Sequence, residues 1–308
     1  MGAAVSRIAA WVLCAFALAI PRVAAPATDG GVLVLGRISD DPKAHYDQLK
    51  PLLEYVVAHM EDLGVRHGRI LMAKDAQQMA SYLRRGRVDW VTETAGSAML
   101  LAQRAGARPL LITEREGVSR YHTVFFARRD GAVDALADLP GHSVAFQRPA
   151  STSAYFVPAA TLLDQRFRLE LLLSPTDAPG TGAVGYLFAR SELNIATWVH
   201  KRLVDVGVMS NLDWNNPRRV PPAFRPDLRI IARTPDYPRA VEMVRADLDP
   251  RIAARLREVL LRAHADPQAQ DALRRFFATS RFLPVDDAAR RELERVSAGV
   301  RRVREEVE

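Results

Sequence analysis

The chain has 308 residues, with 43 Lys and Arg against 36 Asp and Glu for a formal net charge of +7, and a single cysteine, Cys14. That length supports one large core or two lobes of ordinary size. The lone thiol excludes a disulfide framework and a zinc-thiolate site. The positive charge is scattered among acidic residues rather than gathered into a stripe. This argues against nucleic acid and for a solvated basic surface that draws anionic solutes over distance.

Arg7, an apolar run over 8–20 and the small residues Ala25 and Ala27 form the three-part pattern of a secretory signal. Cleavage is expected after Ala27, because a cut after Ala25 would leave Pro26 first. The apolar run is short against the roughly 20 residues of a spanning helix, and Cys14 lacks the preceding small residue of a lipoprotein signal. The expected location is therefore the periplasm, with residues 1–27 removed.

From there the pattern alternates. Strands are expected at 31–36, 68–73, 88–92 and 109–113, with helices at 46–63, 76–84 and 97–104 between them. This β/α order marks a largely parallel sheet with helices on both faces. A strand over 121–127 leads through one helical turn at 136–139 to a strand at 142–146, where a second series begins. It continues with a helix after Ser151, a strand at 169–173, a helix over 194–202 and strands at 204–209 and 228–232. Residues 236–245 are expected to return the chain to the first lobe, followed by amphipathic helices over 250–265, 267–279 and 286–307. Two crossings make a hinge. The expected fold class is α/β with two β/α lobes, residues 28–130 with 237–308 and residues 131–236, joined by two strands around a ligand cleft.

The sharpest local signal is FQRPASTSAY at 146–155, where a strand ends in a proline-containing turn and Ser151, Thr152 and Ser153 open a helix. Free amides at a helix start, the helix dipole and three hydroxyls together suit an oxyanion. The plainer alternative is that Ser151 only caps the helix.

Three stretches in order are similar to the phosphate/phosphite/phosphonate family of transporter-associated binding proteins: LRRGRVDWVTETAGSA at 83–98, then YHTVFF at 121–126 with the segments at 136–146 and 149–153, then VDVGVMS at 204–210 with LRII at 228–231. The resemblance implies a type II periplasmic binding fold and a small oxyanion ligand, phosphate, phosphite or phosphonate-like, delivered to an ABC transporter permease. By position, Ser151, Thr152 and Ser153 inherit the grip on the ligand, and Thr94, Gly96 and Ser97 inherit the closing loop of the other lobe. Tyr121 and His122 fall at the crossing strand that borders the ligand, and Ser191 or Glu192 corresponds to a polar residue directed into the cleft. Where the family often has an aromatic, this sequence has Glu93, and Ala76 follows Asp75 where another is common. A carboxylate facing an oxyanion repels it unless the ligand carries a donor, a cation neutralises it or it holds a proton; alternatively Glu93 points to solvent.

Other motifs carry less. Gly180, Gly182 and Gly185 spell GxGxxG, but the SPTDAP loop separates them from the preceding strand, so a flexible loop is expected rather than a dinucleotide site. No GxSxG elbow occurs, and His45, His59 and His67 lack metal-ligand spacing. Asn194, Trp198 and His200 follow Ser191 and Glu192 in the same segment; Asn194 and Trp198 share a helix face, with core packing the alternative for Trp198, and His200 suits a helix end. The expectation is a monomeric binding protein without cofactor or catalysis, touching the membrane only through its permease. The alternatives are a periplasmic sensor that presents its ligand to a membrane kinase, and an enzyme on the same fold.

Overall fold

The computed structural model describes residues 31–308, so the expected signal segment lies outside the described residues. The first run of the chain is β1 (Val32–Ile38), α1 (Pro42–Ala58), β2 (His67–Ala73), α2 (Ala76–Arg84), β3 (Trp90–Glu93), α3 (Ala95–Ala105) and β4 (Arg108–Arg115). After β5 (Arg120–Tyr121) come β6 (Thr123–Arg128) and β7 (Ser143–Phe146), then a π-type turn at Thr152–Phe156 that continues into α4 (Val157–Asp164). The second run ends with β8 (Arg168–Leu171), β9 (Ala183–Phe188), α5 (Glu192–His200), β10 (Val206–Ser210), α6 (Asn211–Asn215) and β11 (Leu228–Arg233). The chain returns through β12 (Tyr237–Pro238) to β13 (Ala240–Val244), α7 (Pro250–Arg262), α8 (Gln270–Arg275), β14 (Thr279–Pro284) and α9 (Asp287–Glu306).

Two six-stranded sheets result, ordered β14-β4-β13-β3-β1-β2 and β11-β6-β10-β7-β9-β8. In the first, the antiparallel strands β13 and β14 come from returning chain; in the second, the antiparallel strand is β6, which follows the outward crossing. The two crossings meet as β5 and β12, where Tyr237 pairs with Tyr121 and their rings pack at 4.8 Å. This is the two-strand connection of a type II periplasmic binding fold.

The helices form where the sequence supplies caps and one apolar stripe. Asp75, Asp249 and Asp286 cap α2, α7 and α9 by accepting backbone N–H groups, which satisfies donors that a helix start leaves free. In α9, Ala289, Leu293, Val296, Val300 and Val303 are buried at alternating spacings of four and three, and this face packs against both α3 and α4. The last helix therefore straps the two sheets' flanking helices together.

The VD dipeptides at 88–89 and 204–205 do equivalent structural work. Asp89 accepts the Val34 amide at 2.9 Å and Arg245 Nε at 2.9 Å, tying β3 to β1 and to the end of β13. Asp205 accepts the Ser143 amide at 2.8 Å and the Ser143 hydroxyl at 2.9 Å, tying the approach to β10 to β7.

Three expectations change. Residues 123–128, expected with the first lobe, are a strand of the second sheet, because β6 pairs antiparallel with both β10 and β11; the chain crosses at His122. The glycine-rich stretch expected as a loop contains β9, whose Gly185 lies where an added Cβ would meet Leu172 Cδ1 at 2.6 Å, so that glycine serves close packing. The helix expected over 267–279 stops at Arg275, and β14 pairs with β4 at the sheet edge.

The Asp89–Arg245 pair has both side chains 3% exposed. Replacing Asp89 with Ala leaves the guanidinium and the Val34 amide without this acceptor, and should lower stability by about 3–5 kcal/mol. Urea titration of the variant and the parent measures it.

Candidate functional site

The strand ends of both sheets open on one cavity of about 370 Å³. From the first sheet, β1 ends near Arg37, β3 ends at Glu93 and β4 at Arg115; Thr94 and Ser97 belong to the start of α3. From the second, the turn after β7 brings Gln147, Arg148 and the Ser151–Ser153 helix start to the same space, and Glu192, Ser210 and Asp213 come from the starts of α5 and α6.

The two helix starts touch. Thr94 occupies the N-cap position of α3 but makes no side-chain cap. Instead the Gly96 amide donates to Thr152 Oγ1 at 2.8 Å, and that hydroxyl donates to Thr94 Oγ1 at 2.9 Å. One sheet's threonine thus caps the other sheet's helix. Glycine is needed at 96 because a Cβ would meet Thr152 Oγ1 at 2.8 Å and Phe156 Cδ2 at 2.9 Å. Ser97 Oγ donates to the Ala150 carbonyl at 3.3 Å, and Arg148 pairs with Asp40 from the opposite side. Ser151 does cap its own helix, accepting the Ala154 amide at 3.1 Å, yet it also lines the cavity, so the two readings of that residue coexist.

Glu93 is 4% exposed and faces the cavity, so it does not point to solvent. Burial pushes its carboxyl above the usual range, opposed by Arg37, whose Nη1 lies 3.7 Å from Oε2, and by the Ile38 amide donating to Oε1 at 2.8 Å. Glu192 is likewise raised by burial and then by Asp213, and accepts from Gln147 Nε2 at 2.6 Å. Burial raises the Tyr121 hydroxyl, with a hydrogen bond from Ser153 opposing the shift. Arg115 is pulled down to about 9 by burial and then by Arg37.

Of the residues expected in the site, Ser151, Thr152, Ser153, Glu93, Thr94, Ser97, Tyr121 and Glu192 line this cavity. His122 and Ser191 do not. His122 Nδ1 pairs with Asp236 at 2.9 Å between the crossing strands, and Ser191 is spent capping α5 by accepting the Asn194 amide at 3.1 Å. Sequence reasoning missed the cations: Arg37, Lys74, Arg115, Arg148 and Arg239 line the cavity against the carboxylates Asp40, Glu93, Glu192 and Asp213. Their signal was position, since Arg37 and Arg115 stand at the ends of strands whose other ends face away. Among the described residues no cluster of His, Cys, Asp and Glu is placed to hold a metal ion. Chemically, the arrangement offers hydroxyls, a helix-start pair and a surplus of cation to an oxyanion, and carboxylates to a hydrogen-bond donor.

A carboxyl raised in the folded state binds its proton more tightly there than in the unfolded chain. Its contribution to stability is complete below its ordinary value of 4.5 and is lost as pH rises through the folded value. Melting temperature should therefore fall as pH rises from 5 toward neutrality, and Glu93→Gln should make that slope shallower; thermal melts across the range read both.

The family model described as "ABC transporter, phosphonate, periplasmic substrate-binding protein" matches residues 36–289. The XAC2383 protein from Xanthomonas citri, in a structure bound to chloride ion, is 56% identical, with 90% of this chain and 100% of that one covered and a TM-score of 0.86. In a structure of XAC2383 bound to ATP the identity is 55%, the coverage 90% and 100%, and the TM-score 0.85. A binding protein component of an ABC phosphonate transporter from Pseudomonas aeruginosa, PA3383, is similar in fold alone, with 21% identity over 89% of this chain and 88% of that one and a TM-score of 0.60. With a family match across both sheets and a cleft built as such proteins require, the chain belongs to the periplasmic substrate-binding proteins of the phosphonate ABC transporter family.

Proposed function

We propose that the chain captures a small phosphorus oxyanion, phosphate, phosphite or a phosphonate, in the cleft between its two sheets and presents it to an ABC permease. The observation that carries this reading is the meeting of two helix starts, at Gly96 and at Ser151–Thr152, on a cavity where five cationic side chains face four carboxylates. Ser151, Ser153 and Thr94 supply hydroxyls to the oxygens, and Tyr121 adds a phenol. Glu93 tolerates the anion because Arg37 lies beside it. Glu192 and Asp213, at the other helix starts, suit a protonated oxygen or an amine on the ligand's far end. The chloride and the ATP held by the XAC2383 structures support an anion site, and the latter supports phosphoryl oxygens as the recognised group.

Capture is by closure about the β5 and β12 crossing, with residues 31–122 and 237–308 moving against the chain between. No bond is made or broken in it. Export through the signal segment places the protein where the solute and the permease meet.

A ligand at 100 times its Kd raises stability by about 2.7 kcal/mol, so a thermal-shift screen of orthophosphate, phosphite and methylphosphonate identifies the ligand. Thr152→Val keeps the side chain's shape while removing the hydroxyl that joins Gly96 to Thr94. The shift should disappear in this variant; an undiminished shift contradicts the proposed site.

A further inference from the structure

Three arginines on the first sheet's wall of the cavity stand apart from the Ser-Thr-Ser helix start. Arg37 ends β1, Arg115 ends β4, and Arg239 follows β12, with its Nη1 donating to the Arg115 carbonyl at 2.7 Å. Arg115 is 8% exposed, yet its Nε and Nη2 find no hydrogen-bond acceptor among the described residues; Arg37 Nε also lacks one, although Arg37 Nη1 donates to the Thr92 carbonyl at 2.8 Å. A buried guanidinium with unmatched N–H donors is unfavourable unless an anion completes it. The nearby carboxylates are already engaged. Glu242 accepts from Trp90 Nε1, Thr92 Oγ1 and Thr113 Oγ1 at 2.5–2.8 Å, and Glu93 accepts the Ile38 amide with Oε1 while its Oε2 lies 3.7 Å from Arg37 Nη1, one carboxylate beside two guanidinium groups.

The backbone that carries the ring beside the arginines is strained. Phe277 and Ala278 both sit in the left-handed region, at φ +55° and +53°, which side-chain-bearing residues rarely occupy. The Phe277 ring, outside the cavity wall itself, has its centroid 4.7 Å from Arg37 Cζ and 4.5 Å from Arg115 Cζ. One ring thus holds two like charges close to each other, an arrangement that stores repulsion until an anion meets both. Burial and the neighbouring Arg37 pull Arg115 down to about 9, in keeping with a cation short of counter-charge.

We propose that Arg37 and Arg115, held on Phe277, form a second anion subsite, so that the cleft prefers a ligand with two linked phosphoryl groups, a diphosphate or longer phosphoanhydride, over a single phosphate or phosphonate. This rests on the anion-capturing reading above: one phosphoryl group meets the Ser-Thr-Ser helix start and the other meets the arginines. Arg239 adds charge behind them, and Phe277 is a positioning residue that touches neither group.

Isothermal titration of the protein with pyrophosphate, orthophosphate and methylphosphonate tests it. Pyrophosphate should bind about tenfold tighter than orthophosphate or better, since one added charge-assisted contact contributes roughly that factor. Arg115→Gln and Arg37→Gln should each bring the pyrophosphate-to-orthophosphate ratio toward one. Phe277→Leu, which keeps both charges but removes the ring, should narrow the ratio as well. If Arg115→Gln does not fold, Arg37→Gln reads the same ratio at the less buried arginine. Pyrophosphate binding no tighter than orthophosphate, or a ratio unchanged in the arginine variants, overturns the second subsite while capture of a single oxyanion stands. Failure of all three anions to bind overturns both readings.

Discussion

Every α-helix begins with amides that have no partner inside the helix, and in this protein one such start is completed from the opposite sheet. Thr152 Oγ1 takes the Gly96 amide and gives its own proton to Thr94. The contact requires glycine at 96, a threonine at the first position after the Ser151 cap, and strand ends from two sheets converging on one plane. Much of the architecture can be seen as what makes that convergence possible. The VD aspartates lock β3 and the approach to β10 to their neighbours, the β5 and β12 crossing sets the distance between sheets, and α9 bridges their flanking helices.

Around this contact the cleft is electrically mixed rather than uniformly basic. Cations in slight surplus face carboxylates of which two, Glu93 and Glu192, are raised by burial. A site of this kind discriminates by pairing: an anion alone meets repulsion from the acidic groups, and a cation alone meets the arginines. Under the proposed function, ligands that present phosphoryl oxygens at one place and a donor or a further charge at another satisfy both. The low exposure of Arg115 and Glu93 strengthens these preferences, because charges removed from water interact more strongly.

Much of this was legible in the sequence. The β/α alternation, the helix over 76–84 and the Ser-Thr-Ser helix start follow from periodicity and capping chemistry, which act over a few residues. What escaped depends on distant partners. β14 and β9 become strands because β4 and β7 offer them edges, partners far away in the chain. The cationic wall escaped for the same reason, since Arg37, Arg115 and Phe277 are far apart in the chain and meet only after the first sheet is assembled. Position relative to the crossing misplaced His122, one residue past a cavity-lining tyrosine, and capping consumed Ser191. The fate of Glu93 could not be decided from its identity, because the strand end that buries it also supplies Arg37.

The most direct test of the account is a crystal structure of the protein grown with methylphosphonate. The account predicts the phosphonate oxygens between the two sheets, within hydrogen-bonding distance of the Ser151–Ser153 helix start and of donors from the first sheet. Density for the phosphonate outside that cleft, or a cleft that holds it on one wall alone, would contradict it.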